Sequence, residues 1–151
     1  MANFTTAGSS VYAAGHVLQV VMGTVLTASL LNSSATYATT NLVVAITPAS
    51  SSNKVLVMLS QTYDTQAGER AIEFALYRDG SSIQDKIGYS YVRGDSSNAR
   101  LIGTLTYNHL HSPSTTSSTT YQLYARSVGG GQVYVRYSGV ASTIIAMEIQ
   151  G

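Results

Sequence analysis

His109 and His111 are the pair best spaced for metal chemistry, because residues two apart on an extended strand point to the same side and would offer two imidazoles together. No third ligand lies near them; the Ser/Thr tract "HSPSTTSSTT" at 111–120 follows instead. They are therefore read as strand-end histidines, and neither a metal nor any other cofactor is expected. The acids Asp64, Glu69, Glu73, Asp79, Asp85, Asp95 and Glu148 mostly occur singly in or beside turn-forming segments, where solvated surface is the ordinary reading. No carboxylate pair suited to glycoside hydrolysis stands out, and G-x-S-x-G, P-loop and Rossmann glycine patterns are lacking. Without a single cysteine the chain has no disulfide, thiolate ligand or thiol nucleophile. Catalysis is not expected. "VRGDS" at 92–96 holds Arg93, Gly94 and Asp95, opposite charges splayed about a glycine as in the tripeptide that animal integrins recognise, but these residue types also favour turns.

A better recognition surface is "YQLYARSVGGGQVYVRYSG". Read as a hairpin turning at Gly129, it sets Arg126 opposite Gln132, Tyr124 opposite Tyr134 and Gln122 opposite Arg136, all on one face. Tyr121, Leu123, Ala125, Val133, Val135 and Tyr137 fall on the other face, as core. Aromatic rings beside hydrogen-bonding groups suit the C–H faces and hydroxyls of a sugar, and equally a protein partner. Simple cross-strand pairing on a solvated sheet is the plain alternative.

The elements that must carry these residues read as strands. In "NLVVAITPASSSNKVLVML", residues 41–59, two runs of strand length rich in β-branched residues flank Pro48, which cannot donate to a ladder, and the turn-forming 50–53. They are read as two neighbouring strands. Similar segments fall at about 16–24, 41–47, 54–63, 71–78, 82–92, 99–111, 119–127, 132–138 and 142–150, with "RDGSS" at 78–82 and "VGGGQ" at 128–132 as the clearest hairpin turns. Eight or nine strands in 151 residues predict an all-β protein, an antiparallel β-sandwich or jelly roll, with an N-terminal arm over 1–15 and a single domain over 16–151.

The later segments alternate apolar and polar residues, whereas the early ones do not. Leu18, Val20 and Met22 alternate with Val17 and Val21, and Leu56 and Met58 with Val55, Val57 and Leu59, so both faces of these strands are apolar. A two-layer sandwich buries only the inner face. Leu18, Val20, Met22, Leu56 and Met58 are therefore expected at an oligomer interface.

Charged residues make up only 10% of the chain and the net charge is +1, with no basic cluster to neutralise phosphates, so nucleic acid is not an expected partner. The longest apolar stretch, 17–31, is interrupted by Gln19, Gly23, Thr24, Thr27 and Ser29, so no membrane insertion is expected. The amino end lacks the basic region that would mark a signal peptide.

The ordered series "GHVLQVVMGT", "ITPASSSNKVLVML", "LYRDGSSI", "SPSTTSSTTYQLYARSVGGGQVYV" and "STIIAMEI", covering about 16–150, resembles a family of bacteriophage tail-fibre and related virion proteins. The resemblance implies a β-sandwich module on the virion surface, made in the host cytoplasm and assembling as a homotrimer. It would engage other virion proteins of capsid or tail, or a host cell-surface glycan. Small capsid decoration or cement proteins are similar in being short, β-rich and oligomeric. About fifteen residues precede the module, with no shaft, which sets decoration beside host attachment as an expectation.

Overall fold

The computed structural model describes residues 14–25, 29–31, 35–65, 70–92, 101–129, 132–135 and 140–151. Most of the expected arm, Arg93, Gly94, Asp95, Arg136 and Tyr137 lie outside these residues. The described residues form ten strands: β1 (Val17–Val25), β2 (Ser29–Leu31), β3 (Ala38–Ile46), β4 (Lys54–Thr65), β5 (Arg70–Arg78), β6 (Ser81–Val92), β7 (Leu101–His111), β8 (Thr119–Val128), β9 (Val133–Val135) and β10 (Ser142–Ile149). They make two antiparallel sheets packed as a sandwich, as the alternation predicts.

The six-stranded sheet is organised around β4. β7 pairs with β4 over its whole length, from Val55 opposite His111 to Thr65 opposite Leu101. Along β4's other edge β10 pairs with Lys54–Ser60 and β9 with Tyr63–Thr65, and β1 and β2 lie beyond them. The four-stranded sheet runs β3-β8-β5-β6. Leu42, Val44 and Ile46 from β3 and Val55, Val57 and Leu59 from β4 meet in the shared core with Phe74, Tyr121 and Leu123.

Two expectations about connections need correction. The runs in 41–59 are strands, but they lie in opposite sheets, because Leu42, Val44 and Ile46 must face Val55, Val57 and Leu59 across the core. "VGGGQ" is not a hairpin turn either: β8 belongs to the four-stranded sheet, whereas β9 pairs with β4 and β2 in the other. Both strands have buried residues at alternate positions, and that pattern is satisfied equally by one hairpin or by two facing sheets. "RDGSS" does close a hairpin. Arg78 pairs with Ser81 across Asp79 (φ 48°) and Gly80 (φ 82°), the two consecutive positive φ angles of a type I′ turn.

Three acids read as solvated are buried: Asp64, Glu73 and Glu148. Glu148 is 0% exposed and is the centre of the junction between β1, β10 and the β3–β4 connection. Its carboxylate accepts from Asn53 Nδ2 at 2.6 Å, Ala49 N at 2.7 Å and Gln19 Nε2 at 2.5 Å. Burial alone would raise its pKa, but the donors on Asn53, Gln19, Ala49 and Ser50 outweigh burial and lower it. The loop "PASSSN" is thus fastened to the sheet through an anion.

Candidate interaction surfaces

The outer face of the six-stranded sheet carries the apolar residues that the sequence leaves without a core. Register places them in two rows across the strands. Val20 opposes Met147, Met147 opposes Leu56, and Leu56 opposes Leu110; one step along, Met22 opposes Ile145, Ile145 opposes Met58, and Met58 opposes Asn108. Val20 is 56% exposed, Met22 64% and Leu110 51%, while Leu56, Met58, Ile145 and Met147 are half-buried by their neighbours. Four of the five expected interface residues therefore share one face. Leu18 is the exception: it lies in the β-bulge between Val17 and Gln19, has no cross-strand partner in the register and is half-buried. Sequence alternation in β10 hides Ile145, Met147 and Ile149 on the outer face, because the polar Ser142 and Glu148 point inward beside Ile144 and Ala146.

The second surface lies on the outer face of the four-stranded sheet. Gln122, Tyr124 and Arg126 alternate along β8 with the buried Tyr121, Leu123 and Ala125, so these three share a face as expected. Tyr134 does not join them. It lies on β9 in the other sheet, opposite Asp64 and Leu30, and Gln132 is exposed just before that strand. The six residues expected on one hairpin face are therefore split between two sheets, with Arg136 outside the described residues, because β8 and β9 are separated by the core instead of sharing a ladder.

Residues from β5 and from the segment before β3 complete the β8 face. Glu73 opposes Arg126, and Tyr77 opposes Gln122. Glu73 Oε1 receives hydrogen bonds from Arg126 Nη2 at 3.0 Å and from Tyr37 Oη at 2.6 Å, and the Arg126 guanidinium lies 4.8 Å from the Tyr37 ring centroid. Burial alone would raise the Glu73 pKa, but the Tyr37 and Arg126 hydrogen bonds lower it; burial and the bond to Glu73 push the Tyr37 hydroxyl up to about 12. Tyr77 and Tyr124 stack with centroids 3.9 Å apart, and Gln122 Nε2 donates to Thr39 Oγ1 at 2.5 Å. Tyr89 and Tyr91, on β6, are the most exposed rings of this face, opposite Glu73 and Ala71. Tyr37, Glu73 and Tyr77 were not expected here. The one sequence signal is Glu73 itself, an acid inside the otherwise apolar "AIEFALY".

His109 and His111 do share a side of β7, but it is the half-buried inner side, in the ladder Tyr107, His109, His111. His111 Nδ1 is 2.8 Å from Tyr121 Oη. Among the described residues no group of three or more His, Cys, Asp or Glu side chains could hold a metal. Burial, then Arg78 and His109, lower the His111 pKa below 6.5. A histidine whose folded pKa is depressed favours the folded state when neutral, so its contribution is complete above pH 6.5 and falls as pH drops toward the folded pKa. Thermal melts should therefore show wild-type Tm declining below pH 6.5, and His111→Gln should flatten that part of the profile; an unchanged profile would show that His111 is not the titrating group.

No protein-family model and no curated protein matches the chain. Among solved structures it is similar to the infectious bursal disease virus VP2 subviral particle, at 15% identity and a TM-score of 0.47 over 88% of this chain and 33% of that one. It is also similar to the structure of infectious bursal disease virus Gx strain, at 13% identity and 0.44 over 98% and 42%, and to dimeric latent PorU from Porphyromonas gingivalis, at 15% and 0.41 over 99% and 14%. The chain thus spans less than half the length of each of these proteins.

Proposed function

We propose that the chain is a non-enzymatic structural protein of a bacteriophage virion surface, a tail-fibre-type module that serves host attachment or virion assembly. The observation that carries this reading is the apolar outer face of the six-stranded sheet, where Val20, Met147, Leu56 and Leu110 form one cross-strand row and Met22, Ile145 and Met58 a second. Monomeric proteins seldom leave contiguous apolar surface of this kind in water. Neighbouring copies, assembling as a trimer in keeping with the sequence resemblance, cover it. Capsid decoration is the competing placement and uses the same face against shell proteins. The Tyr, Glu and Arg surface of the opposite sheet then points away from the assembly, toward a protein partner or a host glycan.

Sedimentation at low micromolar concentration tests the assembly. The wild type should run above monomer mass, and Val20→Lys with Met22→Lys should weaken association by at least about tenfold, since burial of each side chain is worth about 1.5–3 kcal/mol. Both positions are exposed in the single chain, so the monomer's own melting temperature should change little. A wild type that is cleanly monomeric would remove the basis of the reading. Labelling the protein on intact particles separates the placements, with signal over the head for decoration and at the tail for a fibre.

A further inference from the structure

We propose that β7 is a second interface, at which two copies of the chain pair edge to edge across a two-fold axis through Thr106 and join their six-stranded sheets into one. This contact lies at the edge of the sheet, not on its apolar face, and does not depend on a place in a virion.

A strand edge exposes a row of backbone donors and acceptors, and proteins guard such edges with charge, proline, bulges or a covering element. Among the described residues the outermost strands are β1, β2, β3, β6 and β7; β2 is only three residues long, and β1, β3 and β6 are guarded. β1 and β3 close on one another at one side, where the backbone of Val43 lies against Gly23. β6 carries Asp85 and Lys86 and is broken by register shifts between Phe74, Leu76 and Tyr77 of its partner, with Lys86 at φ 54°. Among the described residues β7 has no charge, proline, bulge or strand guarding its outer edge. "LIGTLTYNHLH" holds no Asp, Glu, Lys, Arg or Pro, its eleven-residue register with β4 has no bulge, and among the described residues β4 is its only ladder partner. Beneath this edge Leu105 packs on Gly88 of β6, and beside that contact a cleft of about 230 Å³ opens between the two strands, lined in part by Thr104, Thr106 and Ser90.

The residue order suits a second copy. Antiparallel pairing about Thr106 sets Ile102 opposite the partner's Leu110 and Thr104 opposite the partner's Asn108, with Thr106 facing its own counterpart. Ile102 and Leu110 are the exposed apolar residues of β7, 54% and 51% exposed, and they fall at equal distances on either side of Thr106. Both thus gain an apolar cross-strand neighbour, and the three polar positions pair among themselves. On the inner side Gly103 meets the partner's His109 and Leu105 the partner's Tyr107. The apolar row Leu110, Leu56, Met147 and Val20 then continues into the second copy through the partner's Ile102.

The cysteine-free chain makes this register directly testable. Under mild oxidation Thr106→Cys should form a disulfide-linked dimer, because only a residue on the axis meets itself. Thr104→Cys and Asn108→Cys alone should not, since each lies about 13 Å from its own counterpart, beyond disulfide reach, whereas the double variant T104C/N108C should cross-link. Thr106→Lys opposes two ammonium groups and should weaken the edge contact by at least about tenfold while leaving the monomer folded. The Val20→Lys, Met22→Lys variant should retain T106C cross-linking, which separates failure of this interface from failure of the face. The proposal is overturned if T106C cross-links no better than T104C or N108C, or if Thr106→Lys leaves the association of the V20K/M22K background unchanged.

Discussion

Glu148→Ala should melt about 10 °C below the wild type, from a loss of about 3–4 kcal/mol, the largest expected from removing a single side chain here. The wild-type carboxylate is fully buried and receives the amides of Asn53 and Gln19 and the backbone N–H of Ala49. Alanine leaves these donors without their acceptor; the Asn53 amide is buried, and a buried donor left unmade costs more than an ordinary hydrogen bond contributes. The damage should spread, because Asn53 also accepts from Gly151 N and Gln19 also donates to Thr47 O. Glu148→Gln should cost less than alanine, since the amide oxygen can still accept from Asn53 or Ala49, but its NH₂ meets the amide of Gln19 donor to donor.

The pH dependence gives this prediction a second readout. The Glu148 pKa is lowered below 4.5 in the folded state, so the folded state prefers the anion. Its stabilising contribution is complete above pH 4.5 and is lost as pH falls through the folded pKa. The stability gap between wild type and Glu148→Ala, followed by denaturant unfolding, should be widest at neutral pH and narrow in acid. A gap that stayed constant to pH 3 would assign the loss to packing and not to the charge.

Glu148 also shows where the sequence stops being legible. The alternation in 41–59 and 119–127 marks the strands and their buried sides, because burial on one face imposes a period of two whatever the partner strand is. Alternation does not say which sheet a strand joins, so β8 and β9 read as a hairpin although the core lies between them. The outer apolar face was legible in Val20, Met22, Leu56 and Met58, since each sits among apolar residues of the opposite parity. In "STIIAMEI" the polar Ser142 and Glu148 share the core side, stabilised by hydrogen bonds to residues 80 or more positions away, and the local pattern carries no trace of those partners. The Glu73, Arg126 and Tyr37 cluster is hidden for the same reason: its members come from two strands and a connection, brought together only by the order of the four-stranded sheet.

Gly23→Ala should be nearly as damaging as loss of Glu148, for a steric reason instead of an electrostatic one. On Gly23 an ideal Cβ would lie 1.9 Å from the Val43 carbonyl oxygen, 3.0 Å from its carbon and 3.1 Å from Ile144 Cγ2. The nearest obstacle is backbone, so no side-chain rotation relieves it, and β1 and β3 must move apart at the corner where the two sheets meet. Overpacking against a fixed wall costs about 3 kcal/mol, which overrides the gain of about 0.4–1 kcal/mol that an unstrained Gly→Ala change contributes through the unfolded chain. Gly80→Ala is the matched control. A Cβ there meets nothing within 4 Å, so only the positive φ of 82° is penalised, by about 1 kcal/mol. Since β1 also presents Val20 and Met22, prying it from β3 should disturb the outer rows as well, so Gly23→Ala should lose association along with stability while Gly80→Ala keeps it. Denaturant midpoints and sedimentation on the two variants read both effects, and a Gly23→Ala protein as stable as the wild type would mean that β1 does not close against β3.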